Sequence, residues 1–142
     1  MKSFTIKCQT SQVKEPKGKK VRDATDIAKS FDEISGMDKE AFFVVTLNTK
    51  MIEIDRHMIS LGTLNASLVH PREVFKPAIL DSAACVALVH NHPTGDTTPS
   101  KEDDATTTRL VESGRILGIT VIDHVIVGSG SSFYSYQDHH KL

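Results

Sequence analysis

Residues 86–103, VALVHNHPTGDTTPSKED, place three different patterns next to one another. Val86 to His90 is a continuous apolar run, typical of a strand that is buried on both faces. A polar loop follows as far as Pro99. Ser100 then predicts the start of a helix that continues to about Leu117 and is ended by Gly118. A buried strand followed by a long helix indicates a sheet that is covered by helices.

The flanking sequence continues this alternation in both directions. Further strands are predicted over residues 42–47, about 52–59, 119–127 and 133–136. Pro71 can open a helix, because proline suits the first helical position. Asp23 can cap an earlier helix, whose apolar residues recur at helical spacing and which Gly36 ends.

This order of elements predicts a single domain over residues 1–142, of the α/β or mixed α+β class. One core suits a chain of 142 residues. Residues 1–22 form an N-terminal extension in this interpretation, with some strand character over residues 4–13 and a basic turn after it.

The composition is that of an ordinary globular protein, with 39% hydrophobic and 25% charged residues. Seventeen Lys and Arg against 18 Asp and Glu give a formal net charge of -1, so there is no bulk attraction to nucleic acid or anionic membranes. Cys8 and Cys85 form no CxxC pair, and Cys85 lies in an apolar run that predicts a buried thiol. The polar N-terminus lacks signal-peptide character and no apolar stretch is long enough to span a membrane, so we expect a cytoplasmic protein.

Two histidines and one aspartate in the segment 86–103 can bind a metal ion. His90 and His92 are two residues apart at the end of an extended strand, so their side chains point to the same side. Asp103 falls in the first turn of the next helix, where its side chain tilts back toward the loop. Three protein ligands leave a position for water, as in catalytic zinc sites. A purely structural interpretation also stands at this point, because surface histidines are common and Ser100-x-x-Asp103 resembles a capping box.

The same segment resembles the JAMM/MPN+ signature H-x-H-P-x6-S-x2-D, with every fixed position present. Residues 69–76, VHPREVFK, and residues 123–128, DHVIVG, are similar to the RadC-like branch of that family. The similarity covers about residues 24–136. It implies the JAMM/MPN fold, a mixed β-sheet flanked by helices with layering similar to that of cytidine deaminases.

The resemblance also implies a role for each residue that matches the signature. His90, His92 and Asp103 become zinc ligands, and Ser100 becomes the hydrogen-bond donor to the developing oxyanion. The family places a general-base glutamate after a first helix and before a core strand, and Glu40 fits that place. Glu73 is the competing candidate, although an acid in the first turn of a helix is stabilised there without any catalytic role.

The activity implied by the resemblance is zinc-dependent hydrolysis of a peptide or isopeptide amide, with a protein or peptide substrate that includes ubiquitin-like chains. An alternative is a DNA-repair-associated RadC-family protein without peptidase activity. Longer members carry an N-terminal helix-hairpin-helix domain, and this chain has too few residues before Asp23 for one. A basic segment could contact phosphates or simply be solvated; it contains Lys14, Lys17, Lys19, Lys20 and Arg22. An inactive scaffold is disfavoured because the ligand set is intact.

The sequence also predicts the environments of two further histidines. His124 lies in an apolar strand, where a buried histidine bonded to a neighbour is predicted, with support of a metal ligand as the second interpretation. His57 is predicted to be a surface residue.

Overall fold

The computed structural model describes residues 3, 16, 18–62 and 69–142, so the strand character predicted over residues 4–13 lies outside the described residues. A five-stranded sheet has the spatial order β2-β1-β3-β4-β5. Its strands are β1 (Glu40–Leu47), β2 (Glu53–Gly62), β3 (Cys85–Asn91), β4 (Thr120–Val127) and β5 (Phe133–Ser135). Strands β3 and β4 are parallel, whereas the other neighbouring pairs are antiparallel, so the sheet is mixed.

In the described part of the chain, three helices flank the sheet: α1 (Ala24–Ser30), α2 (Pro71–Leu80) and α3 (Lys101–Leu117). Helix α1 packs with one set of alternating strand residues, which includes Val45, Leu47 and Val89. Helices α2 and α3 pack with the opposite set, which includes Val44 and Leu88. Two apolar cores therefore lie on the two faces of the sheet, and the predicted mixed α/β fold with flanking helices is confirmed.

The strand–loop–helix segment has the predicted form. Every residue of β3 is buried, as its continuous apolar run predicts. Helix α3 begins after Ser100 and ends at Gly118, whose φ of 73° is a left-handed conformation that glycine adopts without steric cost. Helix α3 connects the parallel strands β3 and β4, so the carboxyl end of β3 lies beside the amino end of α3. That edge of the sheet positions the functional residues.

Helix α1 ends earlier than the sequence predicts. Asp23 is its cap, accepting a hydrogen bond from the Asp26 amide at 3.0 Å. The helix stops at Ser30 rather than near Gly36, and a short 3-10 turn follows. Arg56 of β2 accounts for this, because its guanidinium donates to the Ser30 carbonyl at 2.9 Å and lies 4.3 Å from the centre of the Phe31 ring. A contact from another strand thus provides a hydrogen-bond donor for the carbonyl at the end of the helix.

Within the described ranges, no helix combines the length and the apolar character that a bilayer crossing requires. Cys85 is buried with a free thiol, and its pKa is raised by that burial. The inert buried thiol predicted from the apolar run is therefore present.

Candidate metal centre

The side chains predicted to bind a metal meet at the edge of the sheet where β3 ends and α3 begins. His90 is the penultimate residue of β3, and His92 follows the strand on the same side. Asp103 lies in the first turn of α3. Glu40 is the first residue of β1, which pairs with β3 so that Phe42 lies opposite His90. Three elements therefore contribute to one location.

Ligand atoms of four side chains lie within 4.8 Å of one another, and we call these residues the ligand group: Glu40, His90, His92 and Asp103. The Nε2 atoms of the two histidines are 3.0 Å apart. Asp103 places Oδ2 at 2.9 Å from His92 Nε2 and Oδ1 at 3.3 Å from His90 Nε2. Glu40 Oε1 is slightly more distant, at 3.6 Å from His90 Nε2.

The spacing of these atoms fits a tetrahedral metal ion. Zinc bonds of about 2.0–2.1 Å to nitrogen or oxygen imply separations of about 3.3–3.4 Å between neighbouring ligand atoms. The two histidine Nε2 atoms are 3.0 Å apart, and each lies near a different Asp103 oxygen, at 2.9 Å for His92 and 3.3 Å for His90, so these spacings lie at or slightly below that range. Two imidazoles and one carboxylate are also a donor set that zinc accepts, with one corner left for water. The residues present therefore fit a catalytic type of metal site.

A backbone carbonyl sets the orientation of the His92 ring. His92 Nδ1 lies 2.7 Å from the carbonyl oxygen of Asp96. Because a carbonyl only accepts hydrogen bonds, Nδ1 carries the hydrogen, and the neutral ring presents its Nε2 lone pair to the ligand group. When the ring is protonated, its Nε2–H can donate to Asp103; this bond raises the pKa of His92 and outweighs the opposing effect of burial.

Asp103 takes part in the helix cap and in the ligand group at once. Its Oδ2 accepts from the Ser100 amide at 2.9 Å, while its own amide donates to Ser100 Oγ at 3.0 Å, so the capping box is present. Burial acts to raise the pKa of Asp103, but its contacts with the His90 and His92 imidazoles prevail and hold that pKa well below its usual range. Asp103 is therefore an anion.

Ser100 lies beside the ligand group as the cap of α3. Its Oγ is the acceptor in the bond from the Asp103 amide. That bond does not use the hydroxyl hydrogen, so the cap is compatible with donation to a substrate oxygen. The oxyanion role of Ser100 stays a prediction.

The amide of Asn91 positions Glu40. Asn91 is fully buried; its Oδ1 accepts from the Ala41 amide at 2.7 Å, and its Nδ2 donates to the Lys39 carbonyl at 3.0 Å. Burial is the main reason that the pKa of Glu40 is raised. Glu73, the competing candidate for the base, is exposed on α2 and is not part of the ligand group.

His124 contacts the ligand group from within the core. It is fully buried, with Nε2 at 2.7 Å from His90 Nδ1 and Nδ1 at 2.6 Å from Thr107 Oγ1. The Tyr136 ring stacks on it at a centroid distance of 5.0 Å. Burial lowers the pKa of His124 well below its usual value, so its ring is neutral. The buried histidine predicted here thus also touches a predicted ligand.

His57, predicted to be a surface residue, keeps 26% of its side chain exposed and is paired with a buried carboxylate. Its Nε2 lies 2.6 Å from Asp81 Oδ2, and Asp81, which follows α2, is only 3% exposed. Thr46 Oγ1 also donates to that oxygen, at 2.8 Å. Asp55 completes a second group of ligand-capable side chains with His57 and Asp81. The His57 imidazole helps to satisfy this buried carboxylate, which needs hydrogen-bond donors.

Sequence reasoning missed Asn91 and Thr107. Asn91 stands between the two histidines, but nothing in its position along the chain indicates the main chain around residue 40 as its partner. Thr107 follows Asp103 by one helical turn, so it lies above Asp103 on the same face of α3. That spacing is a signal that could have drawn attention to Thr107.

Comparison with known proteins identifies the family. A model of the RadC-like JAB domain matches residues 21–142, and the chain belongs to this family. It is 56% identical over 109 residues to a UPF0758 protein of Rubrobacter xylanophilus, which is 77% of this chain and 47% of that protein. A UPF0758 protein of Methanosarcina acetivorans is 47% identical over 118 residues, 83% of this chain and 52% of the relative. The chain spans about half the length of these relatives, whose shared name states no activity.

Proposed function

We propose that this protein is a zinc-dependent hydrolase that cleaves peptide or isopeptide amide bonds. The observation that carries the proposal is the convergence of His90, His92 and Asp103 at the end of β3, with spacings suited to a tetrahedral ion. Membership of the RadC-like JAB domain family supports it, since metallohydrolases are found among JAB domains. Bound zinc would lower the pKa of a coordinated water to near 7 and make a nucleophile available at neutral pH.

The chain's own residues supply the remaining chemistry in this proposal. Glu40 accepts the proton of the attacking water and returns it to the leaving amine, and a raised pKa suits a group that must do both. The Ser100 hydroxyl donates a hydrogen bond to the amide oxygen as negative charge develops on it. His90, His92 and Asp103 would hold the ion and leave room for a water molecule on it.

The proposed substrates are proteins or peptides, with ubiquitin-like chains as one class, and the proposed location is the cytoplasm. For the DNA-associated alternative, the described part of the basic segment offers the exposed Lys19 and Lys20, whereas Arg22 is already paired. Arg22 in that segment forms hydrogen bonds with both carboxylate oxygens of Asp26, at 3.0 and 3.2 Å. That pairing reduces the positive charge that Arg22 could offer to a phosphate. Salt-dependent DNA binding would measure any phosphate contacts that the segment makes.

The proposal is tested with zinc-loaded protein and fluorogenic peptides that contain either an α-peptide bond or a lysine ε-amide bond. We expect turnover by the wild type and a loss of about 10²–10⁴-fold in Glu40→Gln, with zinc content unchanged. Glu73→Gln is the matched control, because it makes the same change at an exposed glutamate and should retain full turnover. Equal turnover by wild type and Glu40→Gln, or none by wild type on either bond, would overturn the proposal.

A further inference from the structure

A chain of three hydrogen-bond contacts runs from His90 into the core. His90 Nδ1 lies 2.7 Å from His124 Nε2, and His124 Nδ1 lies 2.6 Å from Thr107 Oγ1. Thr107 Oγ1 in turn lies 2.7 Å from the main-chain carbonyl oxygen of Asp103. All three side chains are 1% exposed or less, so water does not compete for these contacts.

The last member of the chain decides where each hydrogen lies. The Asp103 carbonyl can only accept, so the Thr107 hydroxyl hydrogen points to it, and Thr107 Oγ1 is the acceptor for a hydrogen on His124 Nδ1. A neutral His124 then has a bare Nε2, which accepts from His90 Nδ1. In the reverse arrangement, two oxygens 2.7 Å apart would face each other without a hydrogen between them.

We propose that Thr107 and His124 are positioning residues that hold His90 in the tautomer whose Nε2 lone pair faces the metal. The inference rests on the proposed metal centre and extends it inward by two residues. His92 reaches the same tautomer directly through the Asp96 carbonyl. Both candidate imidazole ligands are thus oriented by main-chain carbonyls. His92 contacts its carbonyl directly, whereas His90 is connected to its carbonyl through His124 and Thr107.

Removing the Thr107 hydroxyl should reverse the chain. Without an acceptor at Nδ1, the His124 hydrogen is no longer held there. The reversed chain keeps the bond between His124 and His90 and places a hydrogen on His90 Nε2, 3.3 Å from Asp103 Oδ1, which can accept it. His90 then carries its own hydrogen on Nε2, and a metal ion must displace it before binding. Partners of this kind are worth about 10–100-fold in metal affinity.

The variants for the test are Thr107→Val, which is close in shape, and Thr107→Ser, which restores the hydroxyl. Thr108→Val is the matched control, because Thr108 Oγ1 donates to the Asp104 carbonyl at 3.0 Å in the same way but is exposed. Zinc affinity is measured by competition with a chromophoric chelator, and folding is checked by thermal unfolding. We expect a loss of about 10–100-fold in Thr107→Val only. Wild-type affinity in folded Thr107→Val would overturn the proposal.

A second readout keeps this inference separate from the proposed function. Nitrogen-15 chemical shifts of the histidine rings in metal-free protein report the tautomer of His124 without any zinc or substrate. We expect the hydrogen on Nδ1 in wild type, Thr107→Ser and Thr108→Val, and on Nε2 in Thr107→Val. If wild type bound no zinc, the proposed function would fail while this measurement still decided the tautomer. A hydrogen on His124 Nε2 in wild type would contradict the inference.

Discussion

Asn91 fixes the main chain on both sides of Glu40, by accepting from the Ala41 amide at 2.7 Å and donating to the Lys39 carbonyl at 3.0 Å. The residue between two predicted zinc ligands thereby places the predicted general base. The candidate ligands and the candidate base are held in register by one buried amide, across two neighbouring strands.

Asn91→Ala should lower turnover more than it lowers zinc affinity. The substitution leaves buried main-chain groups without partners, at a cost of about 1–3 kcal/mol each, and frees Glu40 to move while the ligands stay in place. Thermal unfolding, zinc competition and turnover give the three quantities. Asn48→Ala is the control, because Asn48 Oδ1 also accepts from two amides, at 2.9 and 3.0 Å, but at the far end of β1. Equal losses of turnover in the two variants would show that Asn91 acts through stability alone.

Zinc affinity should fall as the pH is lowered through the pKa of His92. In the metal-free protein this pKa is raised by the hydrogen bond with Asp103. A larger share of His92 is therefore protonated at neutral pH than of an ordinary imidazole, and zinc must displace that proton. Calorimetry in buffers of different ionisation enthalpy should show proton release on binding, increasing as the pH falls from 8 to about 6.5. Binding without proton release over this range would contradict the assignment of His92 as a ligand.

Ser100→Ala should lose both stability and turnover. Removing a helix cap costs about 0.5–2 kcal/mol, and removing an oxyanion donor costs about 10²–10³-fold in turnover. Asp23→Ala separates the two effects, because Asp23 caps α1 with the same type of bond and lies outside the ligand group. We expect similar shifts in unfolding temperature but a loss of turnover only in Ser100→Ala. Equal turnover in both variants would show that Ser100 acts only as the cap of α3.

Gly114→Ala should destabilise the packing of α3 on the sheet. An added Cβ would lie 2.3 Å from the Ile119 carbonyl oxygen and 3.1 Å from the Phe75 ring. Overpacking of this kind costs about 1–3 kcal/mol, which exceeds the helix-propensity gain of about 1 kcal/mol. Gly36→Ala, where nothing lies within 4 Å of the added atom, should change little. Urea unfolding of both variants measures the difference, and a more stable Gly114→Ala would refute the contact.

Local patterns predicted most of the fold and the meeting of the candidate ligands. The apolar run of β3, the Ser100 cap and the Gly118 stop are each encoded within a few residues, and the structure has all three. Spacing of two in a strand likewise brought His90 and His92 to one side. The identity of the base depended on the family resemblance, because a single glutamate carries no pattern.

The features that were not predicted depend on partners distant in sequence. Helix α1 ends where Arg56 of β2 reaches the Ser30 carbonyl, and no signal within the helix indicates that contact. His57 pairs with Asp81, and Asn91 accepts from a main-chain amide 50 residues away. Such pairings become visible only when the strands are placed side by side.

The metal content of purified protein tests the central claim most directly. After loading with zinc and desalting, elemental analysis should find one zinc per chain in the wild type and none in His92→Ala or Asp103→Ala. His57→Ala should keep its zinc, because His57 belongs to the separate group with Asp55 and Asp81. Equal zinc in all four proteins, or loss in His57→Ala alone, would contradict a metal centre at the end of β3.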